Sequence, residues 1–103
     1  MDNAEGVPEV RDNPDESRYE IREGSEVAFL EYSRQPYGTT LVHTEVPAAF
    51  QGRGHAAALV KFALESARAR GERIIPVCPY VRTYLRRHPE YASLVQHAGG
   101  SSA

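Results

Sequence analysis

Between Pro47 and Gly54 the chain changes period. Upstream, Thr39 to Val46 (TTLVHTEV) is rich in β-branched residues and reads as a strand. Downstream, Ala57, Leu59-Val60, Ala63-Leu64 and Ala67 recur at three- and four-residue spacing as far as Gly71, which is the period of a helix. Arg73 to Cys78 (RIIPVC) is then an apolar run too brief for a buried helix, with Pro76 inside it. A helix of about 17 residues lies between the two strands, long enough for a right-handed crossover that leaves them parallel. The rest of the fold has to be arranged around this unit.

Ahead of it, Arg18 to Glu23 (RYEIRE) alternates, Gly24-Ser25 marks a turn, and Glu26 to Ser33 (EVAFLEYS) follows as a second strand. Pro36 and Gly38 mark the next turn, so three antiparallel strands precede the helix. After the crossover, Pro79 opens a second helix (PYVRTYLRRH) that Pro89 stops, and Tyr91 to Val95 offers a short helical piece. The expected class is α/β in the α+β sense: a β-β-β-α-β-α order on a mixed sheet, with Pro76 at an edge or irregular position.

The ends contribute little to a core. Residues 1–17 hold six acidic side chains, two prolines and only Met1, Ala4, Val7 and Val10 as apolar ones, which reads as a disordered acidic tail. Residues 98–103 are Gly, Ser and Ala and read as a flexible tail, leaving one domain over 18–97. A net charge of −2 argues against nucleic acid as partner, with Arg82, Arg86 and Arg87 the one local basic cluster. Cys78 is the single cysteine, which suits a reducing compartment, and no signal peptide or membrane-length apolar run is present; a cytoplasmic location is expected. His55 and His88 show no metal-ligand spacing, so no metal is expected.

The segment Gln51-Gly52-Arg53-Gly54-His55-Ala56 falls between a strand and the first turn of a helix. The leading amides of a helix lack internal partners and carry the positive end of its dipole, so a phosphate fits there. Gly52 and Gly54 bring no Cβ and permit positive φ, Ala56 and Ala57 stay small, and Arg53 adds a charge-assisted donor. A plain glycine-containing loop would look the same. Triphosphate and dinucleotide motifs are excluded: there is no G-x-x-x-x-G-K-[ST], and the third glycine of G-x-G-x-x-G is replaced by Ala57.

Gln51-x-x-Gly54-x-Ala56 resembles the Q/R-x-x-G-x-G/A loop of the GNAT acetyltransferases. His43-Thr44-Glu45-Val46-Pro47, that loop, and Pro76-Val77-Cys78-Pro79-Tyr80-Val81 together resemble a small single-domain branch with H-T-x-V-P and P-x-C-x-Y-V segments. The resemblance implies acetyl-coenzyme A as cosubstrate and an unidentified amine as acceptor, a small molecule or a protein. It implies a cofactor lying where the two parallel strands splay, its pantetheine arm paired with backbone near Glu45 and Val46. Gln51, Gly52, Arg53, Gly54, His55 and Ala56 would hold the pyrophosphate, with Cys78, Tyr80 and Tyr84 lining the gap. A full GNAT domain has helices between its first strands that form much of the acceptor groove, and Gly24-Ser25 leaves no room for them.

Acetyl transfer needs a deprotonated amine and a proton for the departing thiolate. His43 is placed by alternation on one strand face with Leu41 and Glu45, so His43 with Glu45 is the candidate base. Cys78, before the first residue of a helix, is the candidate nucleophile, and a small buried apolar side chain is its other reading. In many GNAT enzymes a tyrosine on the second helix protonates the thiolate, and Tyr84 loosely resembles it; Tyr80 lies one turn before. Arg82, Arg86 and Arg87 are either a solvated face or a contact for the cofactor's 3′-phosphate. The rival from another class is a coenzyme A-binding module with little or no turnover.

Overall fold

The computed structural model describes residues 8–96. The first seven residues of the expected acidic tail, and the whole of the 98–103 segment, lie outside the described residues. Five strands form one sheet in the order β1-β2-β3-β4-β5: β1 (Arg11–Asn13), β2 (Arg18–Glu23), β3 (Glu26–Gln35), β4 (Gly38–Glu45) and β5 (Ile74–Pro76). The first four are antiparallel and β5 runs parallel to β4. Helix α1 (His55–Arg70) makes the crossover and α2 (Pro79–Arg87) follows β5, with 3-10 turns at Ala48–Phe50 and Pro89–Leu94. The fold class is as the sequence implies.

β1 corrects the expected start of the domain, because it lies inside the stretch read as tail. Its residues are polar, and side chains from distant elements hold it. The Tyr32 hydroxyl donates to Asp12 and the Asn13 amide donates to Glu20 at 2.9 Å. Glu20 is 4 % exposed and also accepts from Arg18 at 2.6 Å and Arg22 at 2.9 Å. Burial alone would raise the pKa of Glu20, but the bonds from Arg18, Asn13 and Arg22 outweigh it and set it below the usual 4.5. A carboxylate with a depressed folded pKa contributes stability above its unfolded pKa and loses it as pH falls through the folded value. Urea denaturation is expected to show stability declining below about pH 4.5. Glu20→Gln should be less stable at neutral pH and show a shallower acid decline, and an unchanged decline would refute the assignment.

β2 and β3 turn at Gly24-Ser25 with the register Tyr19↔Leu30 and Ile21↔Ala28, all on the helix-covered face. Burying a Leu or Ile side chain contributes about 1.5–3 kcal/mol, which makes this face the core. α1 covers it with Leu59, Val60, Ala63, Leu64 and Ala67. Its C-terminus closes where expected: Gly71 N–H donates to Arg68 at 3.2 Å and Glu72 N–H to Ala67 at 2.9 Å.

β4 begins at Gly38, where an added Cβ would lie 2.7 Å from the Arg73 carbonyl oxygen. That close approach lets Thr39 N–H reach the same carbonyl at 2.9 Å and starts the β4–β5 ladder. The ladder is short. Thr39↔Ile74, Thr40↔Ile75 and Leu41↔Pro76 are its only pairs, and Val77 N–H and Cys78 N–H then converge on the single Leu41 carbonyl at 3.1 and 2.9 Å. The expected Arg73–Cys78 strand is therefore shortened to Ile74–Pro76, while β4 runs on to Glu45 paired with β3 alone. The two parallel strands part beyond Leu41.

Against β3, Glu31 faces His43 but the next residue, Tyr32, faces Leu41, so Val42 is an extra residue on β4. This bulge corrects the alternation read from the sequence. Leu41 and Thr44 lie opposite the buried Tyr32 and Leu30 on the covered face, while His43 and Glu45, opposite Glu31 and Phe29, face away. Among the described residues no helix is long and apolar enough to cross a membrane.

Candidate functional site

Three elements meet where β4 and β5 part: the end of β4, the loop before α1, and the start of α2. In the loop, Gly52 (φ 77°) and Gly54 (φ 82°) are left-handed, a conformation that favours glycine, and an added Cβ on either would meet nothing within 4 Å. Gly54 caps α1 through its carbonyl, which accepts from Ala58 N–H at 3.0 Å, but no side chain caps the helix and its first turn holds no acidic residue. Sixteen residues of aligned peptide dipole thus end at His55, Ala56 and Ala57 with no side-chain cap. A helix terminus of this kind favours an anion.

The remaining expected loop contacts are redistributed. Gln51 turns its amide back and donates to the Val46 carbonyl at 2.9 Å. The Gln51 side chain and the Val46 oxygen are thereby satisfied within the protein; together they fasten the loop to the end of β4. His55 turns inward. Its ring is 2 % exposed, stacked on Phe50 at 4.3 Å and 14°, with Nε2 3.2 Å from Glu23 Oε2. Nδ1 of His55 is buried without a partner, so a neutral imidazole donating from Nε2 carries a bare acceptor inside the protein. Arg53 reaches Glu23 Oε1 at 2.9 Å and lies over Phe50. The bond from Arg53, aided by that from His55, holds Glu23 below the usual carboxylate range.

Cys78 sits at the N-cap of α2, with Pro79 first in the helix. It is 3 % exposed, and its Sγ lies 3.3 Å from Thr44 Oγ1. Thr44 was the residue missed: it belongs to the His43-Thr44-Glu45-Val46-Pro47 segment, yet only the bulge turns it toward the sulfur. On α2, Tyr80 is exposed and Tyr84 is buried and stacked on His88 at 4.0 Å. Burial first, then the charges of Glu90, Tyr80 and Glu65, raise the Tyr84 pKa, so its O–H stays protonated near neutral pH. The three arginines separate. Arg82 and Arg86 flank a groove with Pro76, Leu85, Ala92 and Val95, while Arg87 acts electrostatically on Tyr80.

His43 and Glu45 do meet, with Nε2 2.7 Å from Oε1, both half exposed. The Phe29 ring stands edge-on to His43 at 6.4 Å, and Arg18 lies over its face at 4.5 Å. The candidates thus fall on two sides of β4, with Thr44 and Cys78 toward the core and the imidazole–carboxylate pair toward solvent. Among the described residues no group of three His, Cys, Asp or Glu is placed to hold a metal ion.

A mixed sheet whose parallel strands part beside an uncapped, glycine-led helix defines a class of small α+β domains. The chain belongs to the GCN5-related N-acetyl-transferase family, whose model matches residues 18–94. Acetyl transfer is thus the activity of its family, whose members generally take the acetyl group from acetyl-coenzyme A. The fold is similar to the NMR solution structure of a GCN5-like protein from Staphylococcus aureus, with a TM-score of 0.68, 21 % identity and 90 % of each chain covered. No curated protein matches the chain.

Proposed function

We propose that this chain is an N-acetyltransferase that binds acetyl-coenzyme A between β4 and β5 and acetylates an amine presented on the outer face of β4. The observation that carries the reading is the uncapped N-terminus of α1 behind two left-handed glycines, beside the point where the strands part. The amides of His55, Ala56 and Ala57, with those of Gly52 and Gly54, would hold the pyrophosphate. Arg53 adds a charge, and of the three α2 arginines Arg87, on the Tyr80 side, fits a further phosphate best. Bound there, acetyl-coenzyme A supplies the thioester carbonyl.

The chain's own residues divide the proton work. With Nε2–H donating to Glu45, the His43 Nδ1 is free to take the amine proton, and Glu45 stabilises the resulting imidazolium. Tyr84, kept protonated by burial, donates to the departing sulfur. Thr44 ties the Cys78 thiol to β4, which suits a lining residue better than a nucleophile, since among the described residues no base is hydrogen-bonded to the sulfur. Cytoplasmic residence fits the buried free thiol.

Acetyl transfer to a panel of amines and peptides, run beside coenzyme A binding, tests this. Transfer to at least one acceptor is expected, whereas tight binding with no turnover on any of them would favour the binding module. Cys78→Ala is expected to lower kcat/KM by less than about tenfold, under 1.4 kcal/mol of transition-state stabilisation. A hydroxylamine-sensitive acetyl adduct on Cys78 that passes to amine at the catalytic rate would replace direct transfer with a covalent route.

A further inference from the structure

Glu23 closes β2 on the helix side of the sheet and reaches the loop from outside it. One carboxylate oxygen accepts from Arg53 Nη2 at 2.9 Å, and the other lies 3.2 Å from His55 Nε2. A single anion from a different element therefore touches the residues on both sides of Gly54. Its two contacts differ in kind. His55 grips the carboxylate from within, its ring 2 % exposed and stacked on Phe50. Arg53 approaches through solvent, with its side chain 52 % exposed.

We propose that Glu23 is a specificity-determining residue of the phosphate loop: a resident anion that occupies Arg53 until a polyphosphate ligand displaces it. The inference rests on the phosphate-seat reading given above. Exposed ion pairs are weak, whereas guanidinium–phosphate bonds are among the stronger charge-assisted contacts, so phosphate wins Arg53 from the carboxylate. The exchange still lowers the net gain, because one partner is given up for another. Glu23, anchored by His55, then remains beside the bound phosphates and repels them. The repulsion slows association and the exchange of partners speeds dissociation, and faster release favours turnover wherever product departure limits the rate.

Glu23→Gln tests this with the shape conserved, since the amide oxygen still accepts from His55 while the charge facing Arg53 is gone. Calorimetric titration with coenzyme A, and separately with inorganic pyrophosphate, is expected to show affinity rising about three- to tenfold, with a steeper salt dependence. In an Arg53→Ala background the same change should yield less than about a twofold gain. Titration with pantetheine, which carries no phosphate, should be unaffected by Glu23→Gln. A folded Glu23→Gln with unchanged or weaker affinity, or an equal gain with and without Arg53, overturns the proposal.

If Glu23→Gln does not fold, the wild type decides by NMR: with pyrophosphate, the Glu23 carboxyl carbon and Arg53 Nε signals should move together. A Glu23 signal unmoved at saturation overturns the proposal. Response to pyrophosphate without binding of coenzyme A would count against the acetyltransferase reading and leave the role of Glu23 standing, and response to neither probe would overturn both.

Discussion

Coenzyme A is expected to raise the unfolding midpoint of the wild-type protein and to leave that of Gly54→Val where it was. Gly54 has φ 82° and open space where a Cβ would project, so the new Cβ meets no protein atom. Its cost to the fold is the left-handed backbone, about 1–2 kcal/mol for a residue with a Cβ. Its cost to binding is larger, because the branched side chain stands where phosphate oxygens would approach the His55 and Ala56 amides. A ligand at a hundred times its dissociation constant stabilises the native state by about 2.7 kcal/mol. For a domain of this size that is a rise on the order of 10 °C, which the variant should lose. Differential scanning fluorimetry with and without coenzyme A reads both quantities. A folded Gly54→Val that keeps the wild-type shift would move the pyrophosphate away from this loop.

His43→Ala should lower kcat/KM for amine transfer by about 10²-fold while coenzyme A affinity stays within about twofold. The split follows from geometry. The imidazole lies on the outer face of β4 against Phe29, away from the glycine loop, so removing it leaves that loop intact. Glu45→Gln keeps a hydrogen-bond partner 2.7 Å from His43 but not the charge that favours imidazolium, so a smaller loss is expected. A base role predicts that added imidazole restores part of the rate in His43→Ala, which a structural role would not. Full activity in His43→Ala would assign the base elsewhere.

The crossover unit and both hairpins were legible because each rests on local pattern: β-branched runs, punctuating glycines and prolines, and a three- to four-residue apolar period. Gly71 and Pro79 marked helix ends for the same reason. What escaped is non-local. β1 is three polar residues whose order comes from Tyr32 and Glu20, reached only after the chain has folded back. The bulge at Val42 leaves no mark in composition, yet it inverts which side chains of β4 meet the core. The contact between Thr44 and Cys78 spans 34 positions and depends on that inversion. His55 was legible in principle: four residues before Leu59 and eight before Ala63, it lies on the buried stripe of α1. Its polarity and its place in a ligand motif suggested the surface instead.

Among the described residues no helix is laid across the face of the sheet that carries His43. With only Gly24-Ser25 between β2 and β3, no described element rises beside Phe29 and Glu45 to form walls that would measure an incoming molecule. If an acceptor docks on this face, its bulk is not the quantity being selected. A flexible amine at the end of a long polymer would meet the same open floor as a free metabolite, and discrimination would come from what the floor itself offers: one aromatic ring with Arg18 over it, one imidazole and the carboxylates of Glu31 and Glu45 beside it.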